Sequence, residues 1–362
     1  MASPAEVAAM RRALELAQNP DVPVGPNPRV GCVLLRPDGS VLAEGYGRGA
    51  GSRHAEVDAL RHPRSAAEPP NVIGDRASER SDDARSRGSA AGATAVVTLE
   101  PCNHVGRTGS CAAALRDAGV ARVVFGQADG NAVAAGGAES LRSAGVDVEG
   151  GVLADEARAV NPIWTLATER GRPYVTWKFA ATLDGRSAAA DGTSQWITSQ
   201  EARADVHRLR AECDAILVGT GTVLADDPQL TVRDEHGPLD RRYQPVRAVM
   251  GRRDIPSGAT VLDDAAETVR LTTRDPAVAL KQLYERGRTH VWLEGGPTLA
   301  GAFLQAGLVD RVVAYVAPAL LGAGPAALGD AGIATLGDAA LMGFTDVTRI
   351  GSDVRLVATR KE

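Results

Sequence analysis

Apolar positions along the chain fall into short runs with strand character, separated by stretches in which apolar residues recur at helical spacing. In the first half, these patterns predict strands at 29–35, 94–99 and 121–125, and helices at 1–18, 55–61 and 111–117. The first helix carries Glu6, Arg11 and Arg12 among its apolar residues, which is typical of an amphipathic helix and not of a signal peptide. Strands that alternate with helices predict an α/β layer.

A second α/β series begins near Arg172. Its apolar runs predict strands at 174–179, 215–218, 248–250, 290–293 and 311–316. The stretch between the series includes Asn161-Pro162 and is predicted to be a linker. We therefore expect a first domain at 1–150, a linker at 151–171 and a second domain at 172–362, which suits a length of 362 residues.

Residues 63–90 depart from both patterns. The segment is rich in Ser, Arg and Asp, and its positive and negative charges nearly balance. Such a composition buries too little apolar surface to offset the entropy lost on ordering, so we expect a mobile surface insertion. A functional lid is the less favoured alternative.

Composition narrows the class of partner. Lys and Arg total 40 against 45 Asp and Glu, a net charge of −5, and aromatic residues make up 4%. This argues against nucleic acid as the main partner, since a phosphate backbone selects a basic excess. The longest uncharged apolar stretch, residues 312–329, is interrupted by Pro318, Gly322, Gly324 and Pro325. This favours a buried strand and a loop over a membrane-spanning segment, so no membrane partner is expected. Four cysteines fit a reducing cytoplasm, and homo-oligomerisation is left open.

Three residues have the chemistry of a catalytic zinc site. His54, Cys102 and Cys111 offer one imidazole and two thiolates, and three protein ligands leave the fourth zinc position open for water. Glu56, two residues beyond His54, is placed to carry protons to the substrate and the leaving group. This is the signature of the zinc deaminases, except that nine positions separate the cysteines in place of a Cys-x-x-Cys. The alternative is a packing role, which we assign to Cys32, in a strand, and Cys213, on a helix.

Three motifs around these residues, at 26–33, 54–56 and 98–111, resemble the deaminase half of the bifunctional riboflavin-biosynthesis deaminase/reductase family. The wide cysteine spacing is similar in that family. The resemblance implies that Asn27 and His104 contact the pyrimidine or ribose and that Arg107 neutralises the 5′-phosphate. The chain departs from the family in two places: Gly109-Ser110 replaces two prolines before the last ligand, and Gly47 replaces a common histidine. We expect zinc binding and deamination to be retained.

Glycine-containing motifs at 178–186, 218–222 and 293–298 end predicted strands of the second series. Glycine there lets a phosphate approach the backbone. None is a Rossmann fingerprint, because Gly219-Thr220-Gly221 lacks the third glycine and the later acidic residue, and each taken alone is more often a tight turn.

Together with 194–198 and 224–233, these motifs resemble the reductase half of the same family, whose fold is similar to dihydrofolate reductase. The resemblance implies two sets of contacts. Those with substrate are Lys178, Ser194, Arg210, Leu230, Arg233 and Glu294, the two arginines being on the phosphate. Those with NADPH are Ala180, Trp196, Thr222, Asp226, Gly296, Pro297, Thr298, Leu299, Ala300, Gly301 and Ala302.

The sequence thus predicts an N-terminal cytidine-deaminase-like three-layer α/β/α domain and a C-terminal dihydrofolate-reductase-like α/β domain. The expected enzyme is cytoplasmic and acts on small phosphorylated pyrimidines, deaminating a diaminopyrimidinone ribosyl phosphate with zinc and then reducing its ribose with NADPH. Two alternatives remain: a zinc deaminase that acts on nucleic-acid bases, and a non-catalytic binding module that zinc stabilises.

Overall fold

The chain folds as two α/β units, Met1–Glu169 and Arg170–Glu362, in a computed structural model. The structure describes residues 1–19, 25–49, 52–61, 90–104, 109–131, 134–234 and 236–361. The insertion predicted at 63–90 lies outside these residues, apart from the buried Ala90. The stretch predicted as a linker, 151–171, is largely helical.

The first unit is built on one mixed sheet. Its strands are β1 (Gly31–Leu35), β2 (Val41–Tyr46), β3 (Thr94–Leu99), β4 (Arg122–Gln127) and β5 (Asp147–Gly150). Its helices are α1 (Pro4–Ala17), α2 (Ala55–Arg61), α3 (Cys111–Asp117), α4 (Gly137–Ser143), α5 (Ala154–Val160) and α6 (Pro162–Arg170), whose last residue begins the second unit. The strand order is β2-β1-β3-β4-β5, with β1 antiparallel to both neighbours and the other pairs parallel.

Alternation along β1 divides the core of this unit into two layers. Cys32 and Leu34 pack with the buried faces of α2, α3 and α4, whereas Val33 and Leu35 pack with α1 and α5 on the other side of the sheet. Successive strand residues point to opposite faces, so a fully apolar strand needs helices on both sides. The predicted three-layer α/β/α architecture is thereby confirmed.

The second unit has a larger sheet. The strands of this unit are β6 (Tyr174–Thr182), β7 (Ala215–Gly219), β8 (Arg233–Asp234), β9 (Gly237–Pro238), β10 (Val246–Met250), β11 (Thr268–Leu271), β12 (His290–Leu293), β13 (Arg311–Ala317), β14 (Met342–Ile350) and β15 (Asp353–Arg360). Strands β8 and β9 pair with each other in a separate two-stranded sheet. The helices of the unit are α7 (Gln200–Arg210), α8 (Thr220–Asp226), α9 (Pro276–Tyr284) and α10 (Pro297–Gln305). The main sheet has the order β11-β10-β7-β12-β6-β13-β15-β14 and is parallel except at the two pairings of β15.

Helices again cover both faces of the sheet. Ala215 and Leu217 of β7 pack with α9 and α10, whereas Ile216 and Val218 pack with α7 and α8. Because β6, β7, β10, β11, β12 and β13 are parallel, their carboxyl ends share one edge, where ligands of open α/β sheets bind. The segment 312–329 is a strand followed by a loop, as predicted.

Two smaller observations complete the fold. Cys213 is buried, as predicted, but it lies in the turn after α7 and not on a helix, so that part of the prediction is wrong. No helix within the described ranges is long and apolar enough to cross a membrane.

Candidate functional site

His54, Cys102 and Cys111 converge in the first unit. Their ligand atoms all lie within 4.8 Å of one another. The Nδ1 atom of His54 is 3.2 Å from Sγ of Cys111 and 3.6 Å from Sγ of Cys102. Both cysteines are buried and neither forms a disulfide. The pair is 48 to 57 residues from His54 along the chain, so only the fold unites the three side chains.

Local structure fixes each of these side chains. His54 immediately precedes α2, and its carbonyl oxygen accepts a hydrogen bond from the backbone N–H of Asp58. Cys102 follows the end of β3, and Cys111 is the first residue of α3. The hydroxyl of Ser110 accepts a hydrogen bond from the N–H of Ala113 and donates one to the carbonyl oxygen of Cys102. Ser110, one of the two departures from the family motif, therefore caps α3 and joins the two cysteine segments.

The protonation of the two thiols reflects their closeness. Hydrogen bonds from Cys111 and His54 lower the pKa of the Cys102 thiol. The hydrogen bond with Cys102, together with burial, raises the pKa of the Cys111 thiol. A divalent cation between the sulfurs favours the thiolate form of both. One imidazole and two sulfurs in this arrangement suit zinc with an open fourth position.

Glu56 lies in the first turn of α2 with 3% of its surface exposed. Burial raises the pKa of its carboxyl group, and His54, Cys102 and Cys111 all interact with it electrostatically. A carboxylate beside the three ligand atoms, and not one of them, is suited to moving protons.

The other residues predicted to contact the pyrimidine are less enclosed. Asn27 is exposed in a segment that Asn161 holds through two hydrogen bonds to the backbone of Arg29. His104 is half-buried, and its Nδ1 atom has no hydrogen-bond partner among the described residues. Arg107 lies outside the described residues.

Sequence reasoning missed Asp129, which follows β4. Burial, with Glu100 nearby, raises the pKa of Asp129 to about 6, and Cys102 and His104 also interact with it electrostatically. The side chain of Glu100 accepts hydrogen bonds from the backbone N–H groups of Asp129 and Ala138. The available signal was positional: β3 and β4 are parallel, so polar residues after β4 lie next to the Pro101-Cys102 segment.

In the second unit, Lys178, Arg210 and Glu294 come together. The Nε atom of Arg210 donates to Oε1 of Glu294 at 2.7 Å, and a second nitrogen of the guanidinium group donates to Oε2. Trp292 donates its indole N–H to the same carboxylate. Despite burial, Arg210 and Lys178 hold the pKa of Glu294 at about 2. Burial lowers the pKa of Lys178, which Glu294 opposes.

The remaining residues predicted to contact the substrate surround this ion pair only in part. Arg210 donates to the carbonyl oxygen of Thr231 at 3.3 Å, next to the buried Leu230. Arg233 is exposed and donates to the side chain of Gln229. Ser194 is exposed, and no contact with a residue that the structure describes places it in the cluster.

His207 is a second residue that sequence reasoning missed. It lies on α7 three positions before Arg210, and its buried Nδ1 atom has no partner among the described residues. Burial, Arg210 and Arg233 lower its pKa to about 4. His207 could have been predicted from its position three residues before Arg210, which places the two on one face of a helix, but the charged residues around it made this pattern hard to distinguish from a solvent-exposed face.

The residues predicted to contact NADPH lie mainly at the carboxyl edge of the sheet. Ala180 is on β6, Thr222 and the exposed Asp226 are on α8, and Gly296 precedes α10. Of the six residues at 297–302, Ala300 and Gly301 are buried, whereas Thr298 is exposed. Trp196 is 69% exposed, with the guanidinium group of Arg203 stacked 4.4 Å from its ring centre.

Family models match both halves of the chain. Residues 4–127 match the model described as the cytidine and deoxycytidylate deaminase zinc-binding region, and residues 173–356 match the RibD C-terminal domain. The matches follow the order of the two resemblances predicted from sequence.

Whole proteins are similar over nearly their full length. The riboflavin biosynthesis protein RibD of Mycobacterium tuberculosis is 47% identical over 91% of this chain and 90% of its own, and that of Escherichia coli is 41% identical over 87% and 88%. A solved structure of Acinetobacter baumannii RibD, form 2, matches with a TM-score of 0.80 and 35% identity over 99% of both chains. The Thermotoga maritima diaminohydroxyphosphoribosylaminopyrimidine deaminase/5-amino-6-(5-phosphoribosylamino)uracil reductase matches at 0.74 and 31%, also over 99% of both.

Proposed function

The chain belongs to the RibD family of riboflavin biosynthesis proteins, and from this premise we propose how its residues divide the work. It is a bifunctional enzyme, a zinc-dependent deaminase joined to a reductase. We assign deamination to residues 1–150 and reduction to 172–362, with 151–171 as the connection. The substrate of the first reaction is 2,5-diamino-6-(5-phosphoribosylamino)pyrimidin-4-one.

The observation that carries the deaminase assignment is the convergence of His54, Cys102 and Cys111 beside the buried Glu56. These three ligands hold zinc, which when bound supplies a Lewis acid that lowers the pKa of water. Glu56 accepts the proton of the attacking water and delivers it to the departing 2-amino group, which leaves as ammonia. Asn27, His104 and Arg107 orient the ring, the ribose and the 5′-phosphate.

The second reaction reduces the ribosyl side chain to ribityl. NADPH, when bound, supplies the hydride that C1′ of the opened ribosylamine accepts. Lys178, Ser194, Leu230 and Glu294 orient the reacting chain. The ion pair between Arg210 and Glu294 fixes both side chains at the carboxyl edge of the sheet.

Arg233 and Arg210 bind the substrate phosphate, since a guanidinium group binds phosphate with charge-assisted hydrogen bonds. The cofactor side is formed by Ala180, Trp196, Thr222, Asp226 and residues 296–302. We further propose that the enzyme is cytoplasmic and takes only small phosphorylated pyrimidines, without nucleic acid. Homo-oligomerisation remains open to measurement by light scattering.

Neither rival function is favoured. A deaminase of nucleic-acid bases would leave the RibD C-terminal domain at 173–356 without a role. A non-catalytic zinc module would not need a buried carboxylate beside the three ligands.

A coupled assay on the diaminopyrimidinone phosphate tests both activities. Ammonia release and loss of NADPH absorbance are followed separately, with zinc-loaded protein. Ammonia should appear without NADPH, and NADPH should be consumed once the deaminated intermediate is present. Zinc-loaded protein that releases no ammonia contradicts the first assignment, and unchanged NADPH absorbance with the intermediate contradicts the second.

A further inference from the structure

Residues 229–233 form a short segment that leads into β8 and carries two of the residues that we assign to the substrate, Leu230 and Arg233. Before Arg233 the segment has no regular secondary structure. Leu230 is 4% exposed and has a backbone φ of 53°, a left-handed conformation that residues other than glycine rarely adopt. Such a conformation persists only where the surrounding structure holds it. The placement of the segment therefore depends on the groups that bind its backbone.

Gln244, which lies just before β10, binds this backbone with both groups of its side-chain amide. Its Oε1 atom accepts a hydrogen bond from the N–H of Val232 at 2.7 Å, and its Nε2 atom donates to the carbonyl oxygen of Val232 at 2.9 Å. Nε2 also donates to the carbonyl oxygen of Leu239 at 2.9 Å. Val232 precedes β8 and Leu239 follows β9, so the amide of Gln244 takes the place of a backbone peptide at the base of the β8–β9 hairpin.

Two arginines bind other carbonyl oxygens of the same segment. Arg210 donates to that of Thr231, and Nη1 of Arg247 donates to that of Gln229, each at 3.3 Å. The side chain of Gln229 in turn accepts a hydrogen bond from Arg233 at 3.1 Å. The position of the Arg233 guanidinium group is thus tied to the position of the segment's backbone.

Gln244 is the partner whose bonds serve this hairpin alone. Among the described residues, its side chain binds only Val232 and Leu239. The buried Arg247, by contrast, also holds the loop before β11, through Asp263, Ala266 and Thr268. Val232 is 2% exposed, so without the amide its N–H would lack both a protein partner and water. Loss of the Gln244 amide should therefore displace the segment and leave the rest of the unit in place.

We propose that Gln244 is a positioning residue of the reductase, which places the Arg233 guanidinium group for the substrate phosphate by holding the backbone of Val232. The assignment rests on the proposed function, in which Arg233 binds that phosphate. Gln244 acts through the segment and not by contact with the substrate. A guanidinium group and a phosphate form paired hydrogen bonds of defined geometry, so a displaced backbone weakens them even though the arginine is still present.

Gln244→Met tests this role, because methionine is close to glutamine in length and has neither the donor nor the acceptor of the amide. Reduction of the deaminated intermediate is measured at steady state with full-length, zinc-loaded protein. We expect KM for the intermediate to rise about tenfold and kcat to stay within about twofold, as the loss of binding without loss of chemistry implies. KM for NADPH and the rate of ammonia release should be unchanged.

A double-mutant cycle with Arg233→Ala separates positioning from a general loss of stability. If Gln244 acts through Arg233, Gln244→Met should raise KM by about twofold or less in protein that already lacks the arginine, because coupled residues are not additive. A purely structural role would give the same factor in both backgrounds. Equal factors would overturn the proposal, and so would an unchanged KM for the intermediate or an equal rise in KM for NADPH.

Gln282→Met is the matched control. Gln282 is half-buried on α9, and its side chain makes no hydrogen bond with a residue that the structure describes. The same substitution there should alter neither KM. If Gln244→Met does not fold, Gln244→Asn replaces it in the cycle with the same expectations, because its amide is one methylene too short to reach both groups of Val232.

The single variants distinguish this proposal from the function on which it rests. If Arg233→Ala raises KM for the intermediate and Gln244→Met does not, the positioning role is refuted and the phosphate contact stands. If Arg233→Ala leaves KM unchanged, the phosphate contact is refuted together with the positioning role. Wild-type protein that does not consume NADPH with the intermediate refutes the reductase function itself.

Discussion

Replacing Glu56 with glutamine tests the deaminase chemistry at its proton carrier. Glutamine has nearly the size and shape of glutamate, so the substitution removes the titratable group without opening a cavity in a site where Glu56 is 3% exposed. Glu56 is not one of the three residues that offer ligand atoms to zinc. We therefore expect the Glu56→Gln protein to fold, to bind one zinc ion per chain and to lose turnover.

The size of the loss follows from the role. A positioned general acid or base contributes about 10²- to 10⁴-fold to a rate, or roughly 3 to 5 kcal/mol of activation free energy at about 1.4 kcal/mol per tenfold. The free energy of unfolding should change by less than about 1 kcal/mol, because an isosteric change at one buried group leaves the packing intact. Activity and stability thus separate by several kcal/mol.

The assay follows ammonia release under saturating substrate, with zinc measured by atomic absorption in the same samples. Asp58→Asn is the matched control, since Asp58 is a second buried carboxylate on α2 whose side chain faces the N–H of Tyr46 and the guanidinium group of Arg48. It should still release ammonia when zinc-loaded. NADPH consumption with deaminated intermediate should be unchanged in Glu56→Gln. A zinc-loaded Glu56→Gln protein within about tenfold of the wild-type rate would refute the proton-carrier role.

Three further changes probe other parts of the structure. In Gly137→Ala the new Cβ would lie 1.7 Å from the carbonyl oxygen of Pro101, the residue before the ligand Cys102. We therefore expect weaker zinc binding and a free energy of unfolding lower by about 1 to 3 kcal/mol, and unchanged zinc content and thermal midpoint would contradict this. Arg203→Ala removes the cation stacked on Trp196 and should therefore raise acrylamide quenching of tryptophan fluorescence; equal quenching in both proteins would refute the contact. The KM for NADPH should increase about two- to fivefold, as the loss of an exposed cation–π contact implies. Burial, Arg210 and Arg233 lower the pKa of His207 from 6.5 to about 4, so the contribution of neutral His207 to stability is full above pH 6.5 and should be lost as the pH decreases toward 4. Urea unfolding of His207→Gln should show a smaller loss of stability over this pH range, and an identical loss would exclude the effect.

The elements that sequence reasoning located well are those with unbroken apolar runs or clear helical spacing. The predicted bounds agree with the structure for two strands and two helices, β3, β12, α2 and α3. The two strands were located because strands covered on both faces are mostly apolar. β14 was not predicted: Phe344 and Val347 are exposed and polar residues separate them, so its pairing with β15 leaves no simple pattern in the sequence.

For the site, the sequence by itself determined the chemistry. The types and order of His54, Glu56, Cys102 and Cys111 indicated a zinc deaminase from sequence, apart from the wide cysteine spacing, because ligand chemistry is a property of the residue. The motifs of the second half indicated a reductase only through their resemblance to the family, because each taken alone is more often a tight turn. The residues around Arg107 and most of the 63–90 insertion lie outside the described residues and stay predictions.

Only the tertiary structure decided which distant groups meet. Arg210 and Glu294 are 84 residues apart, and the pKa of Glu294 near 2 depends on their pairing and on Lys178. Asp129 lies near Cys102, and Arg253 lies over Gly221, because parallel strands bring their carboxyl ends to one edge. A side chain's reactivity depends on burial and on neighbouring charge, and both are set by packing between segments far apart in the chain.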